Sequence, residues 1–505
     1  MTEPGQGAAR GLRSIVIVGG DVAGWMAAAA LARVLGPAAC ELILVEPNES
    51  TTGGADGALP NLRAFHALLG IEEREFLAAT HATIKLATQF HDWGRVGEGF
   101  LHAFGPYGVD VKHELFQAYW LARRRAGRPS PLEEWSVTGL AATLGRFGTR
   151  PANDSSALRH LSYAYHFDAG LYARLLRTHA EKRGVRRVEG EVVDVTLNDK
   201  GRVESLRLRD GRAIGSDFFI DCSGPDARVI AGALRTGYED WSQWLPCNRA
   251  VTIECESTGD PTPVTEATAR ASGWQWRIPL RRGAGCGHVY CSLYLSDDEA
   301  ASELLAVAGD APLGDPRLLR FTAGRRANAW VANCLALGDA AGVLEPLEAT
   351  GIHRVQTGLG RLFALFPDRD FDPAISAEYN RLTALEHARV RDFLVLHYAA
   401  SQRDDAPFWR HCRAMPLPET LTHKRDLFAR AGRIAQLEEE TFVPASWLAI
   451  YTGLGVWPER PEPIIDIVGA AAVAGRFDAM PETIRKAVAT LPAHATYLAE
   501  AAGIA

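Results

Sequence analysis

No two of the eight cysteines are spaced as CxxC; Cys40, Cys222, Cys247, Cys255, Cys286, Cys291, Cys334 and Cys412 are scattered along the chain. That absence argues against a zinc site and a disulfide framework, so no metal is expected and the thiols read as small apolar residues in a reducing cytoplasm. No apolar run reaches the roughly 18 residues of a membrane span. The opening MTEPGQGAARGLRS lacks the apolar core of a signal peptide. The net charge of −7 comes from intermixed acids and bases, with no basic stripe for nucleic acid and no polybasic anchor for a membrane. Internal repeats and low-complexity blocks are also missing.

What is present is a 505-residue chain, 47% apolar and 23% charged, long enough for one large two-part domain or two to three ordinary ones. Its start reads as βαβ: a strand at Ile15–Val18, a helix from Val22 to about Leu35, and a strand ELILVE at Glu41–Glu46. From about 60 to 160 the pattern is helical and irregular, and a helix is expected at about 168–184. Three alternating runs then follow, punctuated by Asn198–Gly201 and Asp210–Gly211, as in a β-meander with tight turns. Alternation returns over about 248–296, WVANCLALGDAAG reads as a buried strand breaking into a Gly-Asp turn, and beyond about 370 the period is helical.

Between the first strand and helix stands VGGDVAGW. In a GxGxxG turn the first glycine permits the bend, the second lets the backbone approach a pyrophosphate, and the third lets helix and strand pack closely. Here Gly19 and Gly24 hold the outer positions, with Gly20 and Ala23 between them, but Asp21 replaces the middle glycine. Its carboxylate lies near a helix N-terminus that should attract phosphate, so the turn alone fits an ordinary bend as well as a nucleotide site. Glu46 lies 22 positions after Gly24, about where a ribose-binding acid belongs. A polar DCSG turn (221–224) ends the meander, and Gly338-Asp339 ends a late strand. Singly, Glu46 could be a solvated strand end and Asp339 a helix N-cap. Together they favour an FAD domain assembled from two segments. The expected fold is therefore α/β with α+β elements: an FAD-binding, doubly wound βαβ core of the flavin monooxygenase type with a β-meander. Residues 1–370 would form that module, with a helical insertion at about 60–160, and 371–505 a mainly helical substrate-binding part.

At 274–279 the chain reads WQWRIP, which places Trp274 and Trp276 on one face of a strand. The string resembles the WxWxIP signature of flavin-dependent halogenases of the tryptophan-halogenase family. VGGDVAGWMAA, IKLATQFHDW, HAFG, YHFDAGLYARLL, WLPCNRAV, GDAAGVLEPLEATGI, RDDAPFWRHCR and LPAHATYL resemble further segments of that family, along nearly the whole chain. The resemblance implies FADH2 delivered by a separate flavin reductase, oxygen and chloride or bromide as co-reactants, and hypohalous acid that travels to a lysine. Lys85 matches that lysine. Glu348 matches the glutamate that stabilises the cationic ring intermediate or removes its proton; Glu345 is a neighbouring acid of similar appearance. Thr350 and Gly351 match the positions whose amides hold halide, His102 and Phe104 match aromatic positions that stack on an indole, and Trp274 and Trp276 would keep substrate from the flavin. Core packing is the alternative for Phe104, and a snorkelling surface position the alternative for Lys85.

Two departures from the family fall on flavin contacts: Asp21, and the strap TGGADGALP (52–60), where the acid becomes Asp56. In LGVWPERPEPIID (454–466) a Pro-Glu-Pro replaces an expected aromatic, which favours a small indole or other electron-rich aromatic over free tryptophan. A homodimer is compatible with the sequence. Two other readings stay open at this point: a binding or regulatory protein on a halogenase scaffold with impaired flavin binding, and a flavin monooxygenase.

Overall fold

The computed structural model describes residues 10–36, 38–47, 53–108, 116–149, 156–256, 259–308, 312–460, 462–468, 474–475 and 477–501. Residues 1–9, Thr52 at the start of the strap and Pro461 of the Pro-Glu-Pro stretch lie outside them. The chain folds into two compact units, each gathered from three segments: 1–81, 167–242 and 321–388 in one, and 82–166, 243–320 and 389–505 in the other.

The first unit is built on a six-stranded sheet in the order Trp330–Val331, Cys334–Ala336, Phe218–Asp221, Ser14–Val18, Glu41–Glu46, Arg186–Glu189. All its pairings are parallel except that of the short edge strand Trp330–Val331. Continuous apolar runs such as SIVIV and ELILV suit strands covered on both faces, and Ile15, Val16, Ile17 and Leu44 are fully buried. The helix Val22–Leu35 follows the opening strand. Its small side chains (MAAAALA) are buried from Val22 to Ala32, which allows close packing against the helices Ala169–Glu181 and Thr350–Ala364. The meander is present as Val192–Leu197, Val203–Leu208 and Ala213–Gly215. Its turns close by Gly201 N–H to Asn198 O and Gly211 N–H to Leu208 O, at the positions the turn residues mark.

The second unit carries a seven-stranded sheet in the order Arg317–Arg320, Arg249–Cys255, Ala284–Tyr290, Gly273–Pro279, Val264–Arg270, Ala87–His91, Gly99–Ala103. Pairing is antiparallel apart from Val264–Arg270 with Ala87–His91. The stretch 60–160, read as helical and irregular, thus also supplies sheet strands; they are only three to five residues long, too short to show a clear alternation. On one face the helix Asp297–Ala308 covers Val251, Ile253, Cys255, Cys286 and Tyr290. Trp93 packs against Trp274, Trp409, Tyr398 and His397 at centroid separations of 5.6 to 6.0 Å. The C-terminal helices Pro407–Ala414 and Pro444–Gly453 open on proline at the first helical position, where its missing N–H is not needed. All eight cysteines are free thiols and buried. Among the described residues no helix is long and apolar enough to cross a membrane, and no cluster of His, Cys, Asp or Glu is placed to hold a metal ion.

Candidate active site

In the first unit the turn after the opening strand is shaped by its outer glycines. Gly19 has φ +114°, and a Cβ there would run into the Cys222 carbonyl; a Cβ on Gly24 would run into the Gly19 carbonyl. Asp21 caps the helix that follows: its Oδ1 accepts the Gly24 N–H at 3.2 Å. Enclosure in the turn and the negative charge of Asp339 push the Asp21 carboxyl up to about 6, against the pull of the Gly24 amide. Ala23 is buried with its Cβ against Gly338, which has φ +63°. Asp339 follows on the next residue, half exposed and 3.9 Å from the Arg354 guanidinium. Glu46 ends its strand with its carboxylate folded over Gly20. It is 5% exposed, accepts from Trp25 Nε1 at 3.3 Å and is paired with Arg187. Asp221, in the polar turn, is fully committed inside the protein, accepting from Ser223, Val229 and Ile230.

These residues suit FAD. The opening strand has neighbours reached in opposite directions, the switch point where doubly wound sheets bind dinucleotides. Gly19 and Gly20 carry no side chains of their own, a helix begins beside them, and an acid stands at the end of the second strand.

The same unit holds Glu348, Thr350 and Gly351. Glu348 is 4% exposed and sits in a turn in which it and Ala349 both adopt left-handed backbone, with φ +63° and +55°. Two consecutive non-glycine residues in that region store strain, a feature of positions held for function. Thr350 and Gly351 open the helix Thr350–Ala364, where the first amides have no intrahelical acceptor and the dipole favours an anion. A Cβ on Gly351 would meet nothing within 4 Å, so space alone does not demand glycine there. Glu345 is buried as well. In the strap, Asp56 accepts its neighbour's amide, Gly57 N–H, at 2.7 Å. Just past it, Asn61 reaches His353 at 2.7 Å and Gln356 at 2.5 Å, tying the strap's end to the helix that starts at Thr350.

The second unit holds Lys85, His102, Phe104, Trp274 and Trp276. Lys85 lies on the short strand Thr83–Lys85, paired with Ala164–Asp168, and is 2% exposed. The snorkelling alternative is thereby excluded. Its Nζ stands 5.6 Å from the Phe104 ring centre. His102 is buried, with Phe393 at 5.9 Å and Phe442 at 6.4 Å. Trp274 and Trp276 share a face, with ring centres 5.8 Å apart. Trp276 lies on Gly287, its partner on the next strand, whose missing side chain makes the room.

Two histidines that sequence reasoning passed over stand beside Lys85. The Thr83 hydroxyl donates to Pro279 O at 2.8 Å, so toward His166 Nδ1, 3.1 Å away, it accepts. His166 therefore carries its proton on Nδ1, and Nε2 accepts from Thr265 Oγ1 at 2.8 Å. Burial, then the charge of Lys85, holds His166 well below its ordinary pKa, so the ring is neutral. His494 is similar: Nδ1 faces Pro261 O at 2.8 Å, Nε2 accepts the Ile84 N–H at 3.2 Å, and burial lowers it to about 4. Both lie in segments that carry the family resemblance, YHFDAGLYARLL and LPAHATYL, and that was the only signal for them.

Along nearly its whole length the chain is similar to known proteins. The family model described as tryptophan halogenase matches residues 14–470. BrvH, a flavin-dependent halogenase from Brevundimonas sp. BAL3, is 43% identical with a TM-score of 0.93, over 97% of this chain and 99% of that one. Xcc4156, a flavin-dependent halogenase from Xanthomonas campestris, is 40% identical, also with a TM-score of 0.93, over 97% and 98%. Tryptophan 7-halogenase RebH from Lentzea aerocolonigenes is 33% identical over 97% of this chain and 98% of its own. With a match that spans both units, the chain belongs to the tryptophan halogenase family of flavin-dependent enzymes.

Proposed function

We propose that the protein halogenates a small, electron-rich, indole-like aromatic by electrophilic substitution, using FADH2 from a separate flavin reductase, oxygen, and chloride or bromide. When bound, reduced FAD supplies the oxygen chemistry that turns halide into hypohalous acid. Gly19, Gly20, Ala23, Gly24 and Gly338, with the acids Asp21, Glu46, Asp56 and Asp339, line the flavin side, and the amides of Thr350 and Gly351 hold the halide. Lys85 Nζ donates a hydrogen bond to the oxygen of hypohalous acid. The ring's π electrons form a bond to the halogen, the O–halogen bond breaks, and the departing hydroxide takes a proton from Lys85 to leave as water. Glu348 stabilises the cationic ring and accepts the proton from the substituted carbon, restoring aromaticity. His102 and Phe104 orient the ring by stacking. Trp274 and Trp276 keep the aromatic away from the flavin, so that it is halogenated rather than hydroxylated. Residues 371–505 supply the remaining substrate contacts.

The observation that carries this reading is Lys85: an ammonium buried to 2% exposure beside an aromatic ring and a neutral histidine has no surface role. The test combines the protein with a flavin reductase, NADH, FAD, bromide or chloride and a panel of indoles, and looks for halogen isotope patterns in the products. Lys85→Ala is expected to abolish them while FAD binding persists. Hydroxylated products without halogen, or equal halogenation by Lys85→Ala, would refute the reading.

A further inference from the structure

We propose that the Asp21 carboxylate competes with the flavin pyrophosphate for one helix N-terminus, so that FAD binding takes up a proton onto Asp21 and weakens as pH rises. This deepens the flavin reading above and rests on it.

In a GxGxxG turn the middle position is bare, and the first-turn amides of the helix are free for phosphate oxygens. In this chain that position is an N-cap. Asp21 has extended backbone (φ −80°, ψ −172°), and its Oδ1 already accepts the Gly24 N–H. A carboxylate there also complements the helix dipole, as a phosphate would. The cap that steadies the helix in the flavin-free protein is thus a like charge held against the donors that the cofactor needs.

The described surroundings give Asp21 no cation to cancel it. The groups packed around the turn are Asp339 after the strand Cys334–Ala336, the Asp221 carboxylate and Cys222 thiol at the end of Phe218–Asp221, and Glu46 over Gly20. Arg187 is taken by Glu46 and Glu189. The Arg354 guanidinium points to Gly342 O and Asp339. Among the described residues no lysine or arginine pairs with Asp21. The Asp21 carboxyl, at about 6 before any flavin arrives, is raised further by a neighbouring pyrophosphate. Between those two values the complex binds one more proton than the free protein. The dissociation constant therefore climbs by up to about tenfold per pH unit above pH 6.

The test is titration of the full chain with oxidised FAD at pH 6, 7 and 8, followed by flavin fluorescence. Calorimetry in two buffers of different ionisation enthalpy counts the protons. Wild type is expected to weaken about ten- to a hundredfold from pH 6 to 8 and to take up close to one proton per FAD near pH 7. Asp21→Asn keeps an acceptor for Gly24 N–H but no charge; it is expected to bind with little pH dependence, to take up no proton, and to be about tenfold or more tighter at pH 8. Asp21→Gly, which restores the usual turn, is expected to bind tighter still but to melt at a slightly lower temperature without FAD, having lost its cap. Asp339→Asn is expected to keep the proton uptake. If Asp21→Asn retains the wild-type pH dependence and proton count, this proposal is overturned and the flavin reading stands. If neither wild type nor the variants bind FAD at any pH, both fall together.

Discussion

The glycine turn at Gly19–Gly24 and the Lys85 pocket handle charge in opposite ways. Around the turn, carboxylates gather: Asp21 feels the charge of Asp339, Glu46 is paired with Arg187 and Asp339 with Arg354, and among the described residues no lysine or arginine pairs with Asp21. Beside Lys85 the histidines His166 and His494 are kept uncharged chiefly by burial. Under the proposed function, the first arrangement suits a region that admits a charged cofactor, because its repulsion is relieved by protons or by rearrangement. The second suits a region where one positive charge acts and any second one would blur its effect. Burial by itself thus says little about a charge; the protonation state of its neighbours decides what it can do.

The comparison is broken most directly at Lys85. Lys85→Met preserves the volume and removes the charge, and should lower the halogenation rate by about a thousandfold or more, measured as product formed per enzyme with FADH2 in excess. Glu348→Gln should lower the rate by about a hundredfold through loss of the proton acceptor, with FAD affinity unchanged. A comparable loss of FAD affinity in that variant would show that its strained turn serves the flavin instead.

Smaller effects sharpen the contrast through stability. His166→Leu leaves the Thr265 hydroxyl without its acceptor and removes the donor to Thr83; it should destabilise the fold by about 1–3 kcal/mol in a denaturant titration. Acid should destabilise through the buried neutral histidines. His66 and His387 in the first unit are lowered to about 3, and His288 and His494 in the second to about 4. Because the folded values lie below the unfolded value near 6.5, the unfolded chain binds more protons in between. The stability is fully present above pH 6.5 and is lost as pH falls toward the folded values, by about 1 kcal/mol per histidine per pH unit. A melting temperature that is flat from pH 6.5 to 4.5 would contradict that account. Finally, Ala349→Gly should relieve the left-handed backbone before the helix Thr350–Ala364 and stabilise by about 0.5–1 kcal/mol. If activity falls as stability rises, the strain serves Glu348.

Much of the fold was legible because local physics writes it locally. The period of SIVIV and ELILVE, the small residues of the first helix, and the Asn198–Gly201 and Asp210–Gly211 turns each specify their own element. The alternation in WQWRIP places its two tryptophans on one face without any knowledge of the rest. The short strands Thr83–Lys85, Ala87–His91 and Gly99–Ala103 escaped that reading, since three to five residues hold too few repeats of any period. At the sites the division is sharper. Residue types and spacing determined that a tight glycine turn would precede a helix, that an acid would end the second strand, and that Lys85 would stand among apolar neighbours. Only the tertiary structure decided that Glu46 meets Arg187, 141 positions away. It alone brought His166 to Thr83 from 83 positions away and His494 to Ile84 from 410. The reason is that a residue's rotamer and protonation state follow from the partners that folding brings to it, and partners so distant along the chain leave no trace in a local pattern.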